Sequence, residues 1–214
     1  MSAADHSRTS HGGSGRPRAS SRAMLAEAAA ELFLEQTYAR TTIDQIAQRA
    51  GVSRNTFFNY FPAKSDVLWY EVDDSLRGFG EILASIPDTV PVMTAVRSAI
   101  LSLAGDFSPA RVPIALTQFD LMGTSDELES SALSRFLAVV RQLSADISRR
   151  LGTPAAGLEP QAIATAVIGA AVAAAGVWAR AGVRRGALTP YVADAVTPVC
   201  SGYQGMLDRQ AATR

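Results

Sequence analysis

Twenty residues constrain this chain more than any others: Ile43 to Pro62, IDQIAQRAGVSRNTFFNYFP. Thr42 precedes an apolar-periodic run and Gln45 stands three residues on. That is the spacing of a capping box, so a helix is expected from Ile43 to Ala50. Gly51 ends it, because a tight turn needs a residue that accepts positive φ. Ser53 can cap a second helix, which must stop before Pro62. Ala47 supplies the small side chain where two helices cross, and Ile43, Ile46, Ala50, Val52 and Phe57 supply the apolar contacts between them. The pattern is a helix-turn-helix, whose second helix is shaped to lie in a DNA major groove.

Around this motif, helical periodicity is nearly continuous and strand alternation almost absent, so the fold class is all-α. Residues 1–19 read as a disordered arm, 20–66 as a three-helix domain carrying the helix-turn-helix, and 67–214 as a helical bundle. The first helix, capped by Ser20 or Ser21 and running to Gln36, places Leu25, Ala28, Ala29, Leu32 and Phe33 on one face. Residues 64–85 read as a single long helix with Val67, Leu68, Val72, Leu76 and Phe79 inward. Further helices are expected at 92–105, 110–122 and 125–151, the last with Leu133, Phe136, Leu137, Val140, Leu143 and Ile147 as its stripe. Two more follow at 160–181 and 188–210, with a kink at Pro198.

Composition excludes several classes. Formal net charge is zero, so no global basic field marks a nucleic-acid binder. Residues 1–66 carry eight Arg/Lys and six Asp/Glu, a small local excess. One cysteine, Cys200, cannot form an internal disulfide and reads as a helix-packing residue in a cytoplasmic protein. The N-terminal residues lack the apolar core of a secretory signal. From Ala162 to Trp178 no residue is charged, but Ala and Gly dominate, so a tightly packed helix is expected and no membrane partner. The only histidines, His6 and His11, lie in the arm. That leaves no ordered histidine to serve as base or metal ligand, and neither catalysis, metal nor cofactor is expected.

The second helix of the motif carries the candidate DNA contacts: Ser53, Arg54, Asn55, Thr56, Phe58, Asn59 and Tyr60. Arg54 can pair bidentately with guanine, and Asn55 or Asn59 with adenine. Thr42, Tyr60 and Lys64 are placed to touch phosphates, helped by the N-terminus of the helix starting near Lys64. Arg16, Arg18 and Arg22 are candidates for the adjacent minor groove.

The run Ala29, Leu32, Phe33, Tyr38, Thr41, Thr42, Ile46, Ala47, Ala50, Gly51, Val52, Ser53, Thr56, Phe57, Phe61, Lys64 and Leu68 resembles the TetR family. Three positions depart from its pattern: Thr37 stands where Gly is usual, Phe58 where Tyr is common, and Tyr60 where His is common. The C-terminal half is similar to regulators encoded with mycofactocin genes, whose relatives bind long-chain acyl-CoA. The resemblance implies a repressor of palindromic operator DNA, with residues 67–214 forming a ligand-binding and dimerisation domain. It also implies homodimerisation through the last two helices, where Trp178 is a candidate anchor, and release by a small-molecule effector. Arg97, Arg111, Gln118, Asp120, Arg135, Arg141 and Gln142 interrupt the apolar stripes around the implied pocket, and Arg97, Arg111, Gln118 and Arg141 are the leading candidate ligand residues. An arginine excess on 92–111 and 135–150 suggests an anionic ligand. A transcriptional activator of the same fold, or a protein-interaction module that never touches DNA, are the alternatives.

Overall fold

A computed structural model describes residues 18–107, 109, 112, 113, 116, 125–154 and 156–213. Every regular element among them is helical. The head comprises α1 (Arg18–Gln36), α2 (Ile43–Arg49) and α3 (Arg54–Phe58). All five residues expected to face inward from α1 are buried, and Phe33, Ile46 and Phe57 are wholly shielded from solvent. The Thr42 capping box forms in both directions: Thr42 N–H donates to Gln45 Oε1 at 2.8 Å and Gln45 N–H to Thr42 Oγ1 at 3.2 Å. Gly51 adopts φ +68°, which turns the chain into α3, and the Thr56 N–H donates to Ser53 Oγ at 3.1 Å.

Thr37, the departure from the family's glycine, also has positive φ, at +72°. A β-branched residue is strained there, and the strain is tolerated because neighbouring bonds fix the loop. Thr37 N–H donates to the Phe33 carbonyl at 3.0 Å, and the buried Thr41 hydroxyl donates to the Thr37 carbonyl at 2.9 Å. The Thr37 side chain itself is exposed. Thr37→Gly is therefore expected to raise stability by about 1 kcal/mol, the relief of strain outweighing the extra freedom of glycine in the unfolded chain. A urea midpoint below wild type would count against the strain.

The single helix expected over 64–85 is in fact three segments. A 3-10 turn covers Lys64–Val67, followed by α4 (Tyr70–Arg77) and α5 (Phe79–Ser85). Asp66 Oδ2 takes the Ala63 N–H at 3.0 Å and tightens the first turn. Trp69, with ψ near 3°, separates that turn from α4 while its indole Nε1 donates to Ser131 Oγ at 2.6 Å. Gly78 serves as the last cap of α4 and the first of α5. The break at Trp69 coincides with partners distant in sequence, which periodicity does not register, whereas the break at Gly78 falls on a residue of poor helix propensity.

The body is built from α6 (Val92–Gly105), α7 (Ser125–Leu151), α8 (Leu158–Arg180) and α9 (Leu188–Ala212). The helix expected at 110–122 falls almost wholly outside the described residues. α9 runs through Pro198. α8 is long and apolar enough to cross a membrane, with mean hydropathy 2.0, yet it buries Ile163, Val167, Ile168 and Trp178 against its neighbours. Trp178 is fully buried within its own chain, and its Nε1 donates to the Gly186 carbonyl at 2.9 Å. It anchors the α8–α9 turn within one chain, and being fully buried there it is not placed to anchor an interface between two copies. Cys200 is buried in the same core, and its thiol is pushed up to about 11 by burial, opposed in part by Arg97.

The stripe expected on α7 is only half covered. Val140, Leu143 and Ile147 are buried, but Leu133 and Leu137 are 57% and 44% exposed. The reason is a competing attachment: Ser131 and Arg135, one helical turn apart, bind the 66–73 segment. Residues 133 and 137 are two positions off that face and so point away from it. At the other end of α7, the Arg150 side chain is 2% exposed. It donates to the carbonyls of Leu83, Ile86 and Pro87 at 3.3, 2.9 and 3.2 Å, and to Asp146 Oδ2 at 2.8 Å. These bonds reach carbonyls at and just beyond the end of α5, where those of Leu83 and Pro87 also accept the N–H groups of Ile86 and Val90, and they fasten that end to α7.

Candidate nucleic-acid interface

α3 is short, and its placement comes from a single deep anchor. Phe57 is wholly buried, 5.6 Å ring to ring from the buried Phe61. Around it Arg54, Asn55, Phe58 and Asn59 are exposed, while Thr56 and Tyr60 are half-buried. Ser53 is exposed but engaged: besides capping Thr56 N–H, its hydroxyl lies 2.9 Å from the Thr56 hydroxyl. Thr42, at the start of α2, is exposed and shares its hydroxyl with Gln45 Oε1 at 3.1 Å. The candidate base-reading residues thus sit on α3 and its C-terminal cap, Asn59, and stand free of the core.

Arg54 is not loose on that surface. Its Nη1 lies 2.7 Å from Asp44 Oδ2, and its guanidinium sits 5.5 Å from the Phe58 ring centroid. Asp44 was absent from the sequence-derived candidates. A carboxylate ten residues ahead of an exposed arginine, on the first turn of the preceding helix, was the signal available for it.

Lys64 is placed differently from the phosphate contact expected of it. Its Nζ donates to the carbonyls of Tyr38 and Thr41 at 2.7 and 3.0 Å and lies 3.8 Å from the Tyr38 ring centroid. The ammonium thereby stitches the α1–α2 loop to the chain beyond α3. At the N-terminus of the turn that begins at Lys64, the Ala63 N–H is taken by Asp66. Arg22, a minor-groove candidate, is bound to Asp74 at 2.6 Å and packed 4.8 Å from the Tyr70 ring centroid. Arg16 and the Arg18 side chain lie outside the described residues.

Among the described residues, a polar latch ties α7 to the segment that follows the head. Arg135 of α7 makes a two-pronged pair with Asp73, Nε to Oδ1 at 2.6 Å and Nη2 to Oδ2 at 2.7 Å. Nη2 also donates to Asp66 Oδ1 at 3.0 Å, and the guanidinium lies 5.1 Å from the Trp69 ring centroid. Burial opposes the charge on Arg135, but the two carboxylates outweigh it and hold the group above its ordinary pKa. Asp66 is shared, one oxygen on Arg135 and the other on the Ala63 N–H. Asp73 and Asp74 then face opposite ways: the first is held by the body through Arg135, the second by the head through Arg22.

The candidate ligand residues are not assembled in this way. Arg97 Nε donates to Thr197 Oγ1 of α9 at 2.9 Å, whereas Arg141 stands on the exposed side of α7. Arg111 and Gln118 lie outside the described residues. An open groove of about 520 Å³ between α5 and α7, lined by Gly80, Leu83, Gln142 and Arg149 among others, includes none of the four.

Comparison with known proteins agrees with this architecture. Residues 25–68 match the model of the tetR family of bacterial regulatory proteins, and residues 90–204 match the MftR C-terminal domain. The chain is 24% identical over 166 residues to a protein described as the mycofactocin biosynthesis transcriptional regulator MftR of Mycobacterium tuberculosis, covering 78% of this chain and 83% of that one. Among solved structures it is similar to Thermus thermophilus FadR, a transcriptional repressor in complex with lauroyl-CoA. The TM-score is 0.55 at 23% identity, over 83% of this chain and 92% of that one. It is also similar to NalD, a repressor of a Pseudomonas aeruginosa efflux pump, with a TM-score of 0.58 at 18% identity over 85% and 96% of the two chains. The helix-turn-helix head, the all-helical body and both family matches make this chain a transcriptional regulator of the TetR family.

Proposed function

We propose that the chain is a repressor: a homodimer that holds palindromic operator DNA through α3 of each copy and releases it when a small molecule binds the body. One observation carries the reading. α3 buries Phe57 completely while Arg54, Asn55 and Asn59 stand exposed beside it. The helix is thus anchored on one face and offers guanine- and adenine-matching side chains on the other. Two copies are needed because successive major-groove faces lie about 34–36 Å apart. α8 offers a surface for pairing, with Val172 and Val177 56% and 53% exposed on a helix rich in Ala and Gly. Small residues there allow close approach of a second copy. The cytoplasm is the location such a role requires, and binding, not catalysis, is the activity assigned.

For the effector, the reading is an acyl-CoA or another ligand joining an anionic part to an apolar one. The lauroyl-CoA complex of the Thermus FadR supports it through shared fold. Arg97, Arg111, Gln118 and Arg141 are the candidates for its polar end. The Arg135 latch is the route by which a ligand-induced shift of α7 would reach the head. Such a shift must either carry residues 66–73 along or break three charge-assisted hydrogen bonds.

Selection of random-sequence duplexes by the full chain is expected to return an inverted repeat. On that repeat, Arg54→Ala is expected to cost about 1–3 kcal/mol of specific affinity. Lauroyl-CoA added to the preformed complex is expected to dissociate it. No sequence preference at all would favour a protein-interaction module. A complex unmoved by saturating lauroyl-CoA would sink the acyl-CoA assignment, and transcription that rises with operator occupancy would make the chain an activator.

A further inference from the structure

Arg54 opens α3, and a free arginine at that position would sample many rotamers before meeting a base edge. Here it is held from two sides. Asp44 Oδ2 accepts from Nη1 at 2.7 Å, and Phe58 lies under the guanidinium at 5.5 Å. Phe58 is in turn fixed edge-on against Phe57 at 5.6 Å with an interplanar angle of 85°, and Phe57 is fully buried. A continuous set of contacts therefore runs from the core of the head to the tip of one reading side chain.

We propose that Asp44 is a positioning residue for sequence readout: it buttresses Arg54 so that the guanidinium meets the major-groove edge of a guanine in one orientation. This rests on the reading of Arg54 as a base contact. The chemistry fits the count of donors. A guanidinium carries five N–H groups and Asp44 takes one, which leaves a two-pronged fork for guanine N7 and O6. The carboxylate itself repels phosphate, so it weakens contact with any DNA until Arg54 is seated between it and an acceptor edge. Asp44 thus sharpens discrimination and lowers indiscriminate affinity together. It does little for the fold, because the pair is exposed, with side-chain accessibilities of 55% and 62%.

The test uses the full chain and the duplex returned by random-sequence selection, together with single base-pair variants of that duplex. Wild type, Asp44→Ala, Asp44→Asn and Arg54→Ala are compared by titration at two salt concentrations. Asp44→Ala and Arg54→Ala are expected to lose discrimination at the same G·C pair, each by about tenfold. The double variant is expected to lose no more than Arg54→Ala alone. Asp44→Asn, which still accepts a hydrogen bond, recovers part of the ratio. Asp44→Ala keeps the wild-type melting temperature and binds unselected duplex at least as tightly as wild type. An Asp44→Ala variant with the full wild-type ratio, beside an Arg54→Ala variant that has lost it, overturns the buttress alone. If Arg54→Ala also keeps the ratio, the base-reading role of Arg54 falls and the buttress with it.

Discussion

Replacing Trp178 by alanine is expected to cost about 3–5 kcal/mol, the range for removing a large buried aromatic side chain. Domains of this kind have about 5–15 kcal/mol of stability in all, so the variant sits near the edge of folding. The side chain is fully buried, and its indole N–H satisfies the Gly186 carbonyl. Gly186 has φ +61°, so the turn that presents this carbonyl depends on glycine as well. Removing the indole opens a cavity between α8 and α9 and leaves the carbonyl unpaired. At a fixed protein concentration the melting temperature is expected to fall by roughly 10 °C or more. Trp178→Phe keeps one six-membered ring but loses the donor and three ring atoms, so it is expected to cost less than the alanine variant, about 1–3 kcal/mol. A loss under 1 kcal/mol for the alanine variant would mean that α8 and α9 close over the gap. The buried anchor would then carry none of the weight assigned to it.

The second large effect is expected at Arg150. Arg150→Met keeps the apolar stem but removes the donors to three carbonyls at the end of α5 and to Asp146. About 3 kcal/mol is expected, the low end for breaking a buried ion pair, because Arg149 still holds Asp146. Its neighbour provides the control. Arg149 has 49% side-chain accessibility, pairs with an Asp88 that is 71% accessible, and shares Asp146 with Arg150, which still holds that carboxylate when Arg149 is replaced, so Arg149→Met should move the urea midpoint much less than Arg150→Met. Equal effects from the two variants would contradict burial as the cause.

These contrasts show which parts of the fold the sequence makes legible. The helix-turn-helix was readable because its determinants are local: a capping box across four residues, a glycine at positive φ, and an apolar residue one turn from a cap. The departure from helix at Trp69 was not, because Trp69 and the neighbouring Asp73 are held by Ser131 and Arg135, more than sixty positions away. The same latch explains the α7 stripe, where periodicity marks six apolar positions but cannot say which half another element will cover. Trp178 shows a related ambiguity, since an aromatic on a small-residue helix serves equally well within one chain or between two. For Lys64, charge suggested a phosphate, and two carbonyls already in the chain claimed the ammonium. The ligand residues were hardest of all, because a pocket depends on several helices converging and no spacing along one helix encodes that.

Lys64 has one more consequence. It is the single lysine in a chain whose other basic residues are all arginine, and its Nζ is lodged over the Tyr38 ring on two loop carbonyls. An amine-directed acylating reagent therefore has one side chain to find, and it reaches that nitrogen only while the loop has let go. Labelling kinetics at one atom become a clock for the parting of the α1–α2 loop from the segment that leads into the body. The chain carries its own reporter, with no dye to attach and no residue to replace.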